Sequence, residues 1–367
     1  MRKLLIIVGN RPQYIKLGIL IPELKRKKIR YTVIDTGQHY NNNLSNFFFK
    51  NFGFKPKINF KIGSANNAIA VSKIINKLTI FLKLNKFKDI LVFGDTNTTI
   101  ATSLVSAFHY YNLYHIESGE RTYTRKEFPE EINRIVTDNL SSTLFACSKT
   151  AYNNLKKEGF NKSRIFFTGD IMYDLFLKAK KKINRNTNLL NKFSLKKNSY
   201  CLATIHRAEN SRENIIYNYL KILDNLKYKT IFFTHPRIEK IINKLKWKSK
   251  KNLILHKPVD YYDMMYYLSN SKIIFTDSGG LKREAFFAKK FSVNPMSGNP
   301  VWPEINKQNK SITVDPKNFK RILKILKNKI NVKNFNFKEF GKGDASKKIV
   351  NIIAKKLREK KQIINWK

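Results

Sequence analysis

The stretch Leu4-Leu5-Ile6-Ile7-Val8-Gly9-Asn10-Arg11-Pro12 decides the fold class. Five consecutive apolar residues without alternation suit a strand buried on both faces, which points to a parallel sheet. Gly9 ends the run, Pro12 follows the turn, and residues 15–28 read as a helix. The same unit recurs. Residues 31–36 and 89–93 read as strands, the second ending at Gly94-Asp95-Thr96 before a helix over 97–109. Residues 112–116 form a short strand that runs directly into Glu117-Ser118-Gly119, and 144–147 and 165–168 continue the series. Strand, polar loop and helix in repetition describe a doubly wound α/β domain.

The composition shifts over 178–198, where Lys178-Ala179-Lys180-Lys181-Lys182 gives way to Asn-rich polar residues, and we expect an interdomain linker there. A second α/β series follows at 200–204, 230–234, 252–255 and 272–276. Its strands end in His206-Arg207, His235-Pro236-Arg237 and Asp277-Ser278-Gly279-Gly280. The expected division is one Rossmann-like domain over 1–177 and a second over 199–346, with a helix at 347–367 packing back on the first. A length of 367 residues suits two domains. Ligands of such sheets bind at the carboxyl ends of the strands, so the polar strand-end residues are the site candidates.

Composition narrows the function classes. The 42% hydrophobic share supports ordinary cores, and no apolar run is long enough to span a bilayer. The amino-terminal apolar run is too short for a signal peptide and no small-residue cleavage site follows it, so the expected compartment is the cytoplasm. Two cysteines, Cys147 and Cys201, exclude a disulfide scaffold. No His/Cys/Asp set has ligand spacing, so neither a metal nor another cofactor is expected. The net charge of +46 comes from lysines dispersed among Asn, Ile and Phe rather than from a basic arm. This argues against a specific nucleic-acid partner. A field of that sign attracts nucleotide phosphates and also anionic membrane surfaces. Against this background, Asp95, Glu117, Glu120, Glu127, Glu130, Glu131 and Asp138 concentrate scarce carboxylates in one stretch.

Two kinds of constellation result. Asp95, Glu117 and the Pro129-Glu130-Glu131 step could move protons on and off opposite faces of one carbon, although Asp95 and Glu130 could instead cap helices. Asp277-Ser278-Gly279-Gly280, between a strand and a helix, suits a diphosphate cradle, or a Gly-rich turn with a Ser cap. Arg11 and Lys16 could both face an anion. His206 at a strand end, and less clearly His235 and His39, could be acid/base groups or phosphate donors. His109, His115 and His256 read as surface or packing residues.

Together these motifs resemble the non-hydrolysing UDP-N-acetylglucosamine 2-epimerase family. The resemblance lies in residues 9–16, in Thr36-Gly37-Gln38-His39-Tyr40, in Gly94-Asp95-Thr96-Asn97-Thr98 and in His115-Ile116-Glu117-Ser118-Gly119. It continues through Pro129-Glu130-Glu131-Ile132-Asn133-Arg134, residues 203–210, residues 276–280 and Gly341-Lys342-Gly343-Asp344-Ala345-Ser346. It implies a GT-B-like fold, two Rossmann-like domains facing a central cleft, with UDP held mainly by the second. The family inverts C2 of a UDP-sugar: the C2 proton and UDP leave to give 2-acetamidoglucal, then return with the proton on the other face. Matching positions make Asp95, Glu117 and Glu130 the acid/base carboxylates and put His206 near the diphosphate among the catalytic residues. Arg11 and Lys16 line the cleft. Ser278, Gly279 and Gly280 take the diphosphate and Glu284 the ribose, while Gln38, His39, Arg134, Arg207 and His235 complete the substrate-binding set. The resemblance also implies a UDP-sugar as partner, a homodimer and a role in surface polysaccharide biosynthesis.

The chain departs from the family pattern in three places. Gln13 stands where many members have Glu. Glu120 stands where an aliphatic residue is usual. Residues 295–302, Pro295-Met296-Ser297-Gly298-Asn299-Pro300-Val301-Trp302, lack the family's Arg and Glu. The form with Gln13, Asn97, Pro236-Arg237 and Trp302 resembles a branch that includes UDP-2,3-diacetamido-glucuronate 2-epimerases. A uronate needs a further cation, so the neutral UDP-GlcNAc ranks first and the uronate is the alternative. A GT-B glycosyltransferase and a non-catalytic nucleotide-sugar binding protein are the remaining readings.

Overall fold

Asn10 sets the start of the first helix. Its backbone is extended and its side chain accepts from Gln13 N at 3.2 Å, while Pro12 occupies the first turn, where its missing N–H costs nothing. Helix α1 therefore spans Arg11–Arg26 and begins before the apolar periodicity that starts at Ile15. The computed structural model describes residues 2–37, 54–63, 66–124, 129–183, 189–249, 251–328 and 334–359. They form two compact units, one drawn from Met1–Leu175 and Lys338–Lys367, the other Phe176–Phe337.

In the first unit the strands are β1 (Leu4–Val8), β2 (Tyr31–Asp35), β3 (Ile58–Asn59), β4 (Asp89–Phe93), β5 (Asn112–Ser118), β6 (Thr143–Ala146) and β7 (Ile165–Phe167). They make a parallel sheet in the order β3-β2-β1-β4-β5-β6-β7. Every residue of β1 and β4 is buried, as the apolar runs Leu4–Val8 and Ile90–Phe93 require, and Asp89 at the start of β4 is paired with Arg2 and Tyr114. Helices α2 (Asn67–Leu84), α3 (Asn97–Phe108), α4 (Pro129–Leu140), α5 (Lys149–Lys157) and α6 (Ile171–Ile183) supply the crossovers. The lysines at 180–182 thus continue a helix.

The second unit holds β8 (Cys201–Thr204), β9 (Thr230–Phe233), β10 (Leu253–His256), β11 (Ile273–Thr276), β12 (Phe291–Pro295) and β13 (Ser311–Val314). Their order is β10-β9-β8-β11-β12-β13, all parallel. Helices α7 (Glu213–Asp224), α8 (Pro236–Lys244), α9 (Tyr261–Asn270), α10 (Gly279–Phe287), α11 (Pro303–Lys307) and α12 (Phe319–Lys327) connect them. Strands β12 and β13 have no unbroken apolar run to reveal them. Ser292 and Asn294 are buried because they are bonded, Ser292 to Ser311 Oγ at 3.0 Å and Asn294 Nδ2 to the Thr276 carbonyl at 2.8 Å.

Helix α13 (Ala345–Lys356) returns to the first unit and packs on α1. Its amino end is capped from outside: Asp174 of α6 accepts from Ala345 N at 3.0 Å, Ser346 N at 2.8 Å and Ser346 Oγ at 2.7 Å. Arg2 donates to the Lys356 and Glu359 carbonyls at the other end. Gly341, at φ 87, lets the returning chain touch Gly169, and a Cβ there would lie 2.9 Å from Gly169 Cα. Gly341→Ala is therefore expected to destabilise the protein by about 1–3 kcal/mol, the usual cost of a strained left-handed residue, visible as a fall in melting temperature of several degrees.

Candidate active site

The first set of candidates lies at the carboxyl ends of β1, β4 and β5, neighbouring strands at the switch point of the first sheet. The β5–β6 register shifts between Ile116 and Ser118, and Glu117, in the bulge, has φ 72. A non-glycine residue held in this region is strained, a condition concentrated at functional sites. The bulge presents Glu117 to Lys16 of α1, and the carboxylate and ammonium form a close ion pair with little solvent exposure. Gly94 (φ 62) passes beneath: a Cβ on it would lie 3.5 Å from Glu117 Oε2 and 3.6 Å from Lys16 Nζ.

Asp95 follows directly. It is not a helix cap, since Thr96 caps α3 by accepting from Thr99 N at 3.3 Å. The Asp95 carboxylate pairs instead with Arg134 of α4, and its carbonyl accepts from Asn133 Nδ2 at 2.8 Å. Arg134 also meets Glu131 Oε2 at 2.9 Å. Glu131 is fully buried and holds the preceding loop, accepting from the Thr122 and Tyr123 backbone. Burial alone would raise its pKa; those donors and Arg134 pull it below the ordinary value. Glu130 stands exposed in the first turn of α4, one turn before Arg134. Arg11 is exposed at the start of α1. Gln38 and His39 lie outside the described residues.

Gln13 explains itself through its bonds. It accepts from Gly9 N at 2.8 Å and donates to the Phe93 carbonyl at 2.8 Å and Thr96 Oγ1 at 3.0 Å. A carboxylate there could accept from Gly9 but could not donate to Phe93. Glu120 is buried, accepting from Cys147 Sγ at 3.3 Å and Ser148 Oγ at 3.0 Å. His115, read from sequence as a surface or packing residue, is fully buried between charged and polar partners: Nδ1 is 2.7 Å from Asp138 Oδ1 and Nε2 is 2.8 Å from the Gly94 carbonyl. The density of acids between residues 95 and 138 was the signal for Asp138 and Glu131, but their partners are set by three-dimensional packing.

The second unit gathers its candidates at the ends of β9, β8 and β11, again neighbours at a switch point. Asp277 is almost completely buried and accepts from His206 N at 3.0 Å, Arg207 N at 2.9 Å and Asn210 Nδ2 at 2.9 Å. Its Oδ1 also lies 2.9 Å from His206 Nδ1. Burial would raise this carboxyl; His206, Asn210 and the backbone donors hold it below the ordinary value. The His206 and His235 rings are 6.5 Å apart, and His235 caps α8 through Nδ1, 3.2 Å from Arg237 N. Burial, then His206 and Arg237, lowers the His235 pKa. Ser278 caps α10, accepting from Leu281 N at 3.2 Å, so Gly279 and Gly280 form the first turn of a helix whose amino end favours anions. Glu284 is buried one turn on, beside Tyr261.

The altered 295–302 segment is anchored to α10. Lys282, buried, donates to the Val301 carbonyl at 2.6 Å and to Asn306, and burial lowers its pKa to about 7. Arg283 lies 3.9 Å over the Trp302 ring. Among the described residues no helix is long and apolar enough to cross a membrane.

The lowered Asp138 and Asp277 carboxyls give a pH prediction. A depressed folded pKa stabilises the fold fully above the unfolded value of about 4, and that stability is lost as pH falls through the folded values. Through these two carboxyls the melting temperature should hold from pH 7 to 5 and fall below pH 4. Asp277→Asn should melt lower at pH 7 and show a shallower acid decline.

A sequence model described as UDP-N-acetylglucosamine 2-epimerase matches residues 22–354. A Methanococcus maripaludis protein named as a homolog of that enzyme is 38% identical over 96% of this chain and 99% of its own. The crystal structure of the Methanocaldococcus jannaschii UDP-GlcNAc 2-epimerase, in complex with UDP-GlcNAc and UDP, superposes with TM-score 0.86 at 34% identity, covering 96% of this chain and 99% of that one. A Polygonum tinctorium UDP-glucosyltransferase shares only the fold, at TM-score 0.60 and 9% identity. The two Rossmann-like units are thus GT-B-like in class, and with sequence and structure agreeing along nearly its whole length, the chain belongs to the UDP-N-acetylglucosamine 2-epimerase family.

Proposed function

We propose that this chain is a non-hydrolysing epimerase that interconverts UDP-GlcNAc and UDP-ManNAc. The observation that carries the reading is the pair of carboxylates at adjoining strand ends, Glu117 on Lys16 and Asp95 on Arg134. Inverting C2 needs a base on one face of the carbon and an acid on the other. In the forward half, the C2–H bond breaks and its proton passes to a carboxylate. The electron pair forms the C1–C2 double bond, and the C1–O bond breaks with its electrons on UDP, leaving 2-acetamidoglucal. The return half adds UDP to C1 and a proton to the opposite face of C2. Asp95, Glu117 and Glu130 take these proton-transfer roles.

UDP leaves readily only if its growing charge is stabilised. Ser278, Gly279 and Gly280 at the amino end of α10, with His206, Arg207 and His235, supply that on the second unit, and Glu284 suits the ribose hydroxyls. Arg11 and Lys16 serve the sugar side. Gln38 and His39 complete the binding set. The cations beside the 295–302 segment, Lys282 and Arg283, are buried against Val301, Asn306 and Trp302 rather than presented to a ligand. That supports a neutral sugar over a uronate. The reading carries with it a cytoplasmic homodimer supplying an activated sugar for surface polysaccharide assembly.

Incubation with UDP-GlcNAc in D2O, followed by NMR, should show deuterium entering C2 and UDP-ManNAc accumulating; absence of both would refute the reading. Asp95→Asn and Glu117→Gln should each slow exchange by at least about 100-fold while UDP affinity changes little. Ser278→Ala should weaken UDP binding by roughly 1–2 kcal/mol in calorimetry, the scale of one lost hydrogen bond.

A further inference from the structure

His115 stands in a bonding situation that constrains its charge. Nδ1 faces a carboxylate oxygen of Asp138 at 2.7 Å and Nε2 faces the Gly94 carbonyl at 2.8 Å. A carbonyl only accepts, so Nε2 carries a proton. The other Asp138 oxygen accepts from Gly119 N at 2.9 Å and Arg121 Nη1 at 2.8 Å, donors that keep this carboxyl ionised. Nδ1 must then donate as well. Arg121 also pairs with Glu158 at 2.7 Å.

We infer that His115 is an imidazolium, protonated on both ring nitrogens, and that it acts as a positioning residue by hanging the Gly94 carbonyl from Asp138. Gly94 immediately precedes Asp95 and lies against the Glu117–Lys16 pair, so the tether fixes both carboxylates at the strand ends. Helix α4 closes the frame, because Asp138, Asn133 and Arg134 all project from it, the last two holding Asp95. Other charged groups near the imidazole are Glu117 and Glu120 on its own strand and the loop beyond, Lys16 of α1 and Arg164, whose guanidinium reaches the Asp138 carbonyl at 3.4 Å. Helix α3 contributes none.

The effect on turnover rests on the epimerase reading; the charge of the ring does not. In the intact protein labelled with 15N-histidine, His115 is identified among six histidines by its loss in His115→Gln. Its two ring nitrogens should both show the protonated signature at pH 7.5. A neutral tautomer at pH 7.5 would overturn the inference. In the D2O assay, folded His115→Gln and Asp138→Asn should lose roughly 10- to 100-fold in kcat, the scale of a displaced reacting group, with UDP affinity within about twofold of wild type. Variants that melt lower yet turn over at the wild-type rate would reduce His115 to a packing role. Should the wild type show no exchange, the epimerase reading fails while the spectrum still decides the imidazolium.

Discussion

Asp138 has no exposed surface, and a buried carboxylate is costly unless donors surround it. Its donors come from His115 on β5 and from Gly119 and Arg121 beyond it, which binds α4 to the carboxyl edge of the first sheet. Once α4 is fixed, Glu131 can gather the Thr122–Tyr123 backbone, Asn133 and Arg134 can hold Asp95, and Glu130 has a defined place in the first turn. Asp277 plays the same part in the second unit, drawing in His206, Arg207 and Asn210 from the adjoining strand end. Removing Asp138 would strand the Gly119 N–H and the His115 and Arg121 side chains, and removing Asp277 the His206 and Arg207 N–H groups.

The same economy governs strain. Glu117 is held in a left-handed conformation at a bulge, where Lys16 and the bare backbone of Gly94 receive it. Such a conformation persists only where its surroundings over-determine it. In the second unit the 295–302 segment solves a different problem. With no Arg and Glu of its own, it leans on Lys282 and on Arg283 stacked over Trp302, both supplied by the helix that Ser278 caps.

Much of this was legible in the chain. Unbroken apolar runs such as Leu4–Val8 and Ile90–Phe93 announce parallel strands because both faces are covered, and the polar residues after them mark the candidate site because ligands of such sheets bind at carboxyl ends. The first turn of α1 was hidden behind polar Asn10 and Gln13, and strands β12 and β13 behind Ser292 and Asn294, whose burial depends on partners distant in sequence.

Sequence alone thus determined the α/β class, the alternation of the two series, and the positions of Asp95, Glu117, Glu130, His206 and the Ser278-Gly279-Gly280 turn. All of these follow from local pattern and motif. Only the tertiary structure decided the pairings: Glu117 with Lys16, Asp95 with Arg134, His115 with Asp138 and Gly94, Arg283 with Trp302. The reason is physical. A polar group's chemistry is set by its partners and its distance from water, and those are fixed when crossovers bring strand ends from separate parts of the chain to one edge of a sheet.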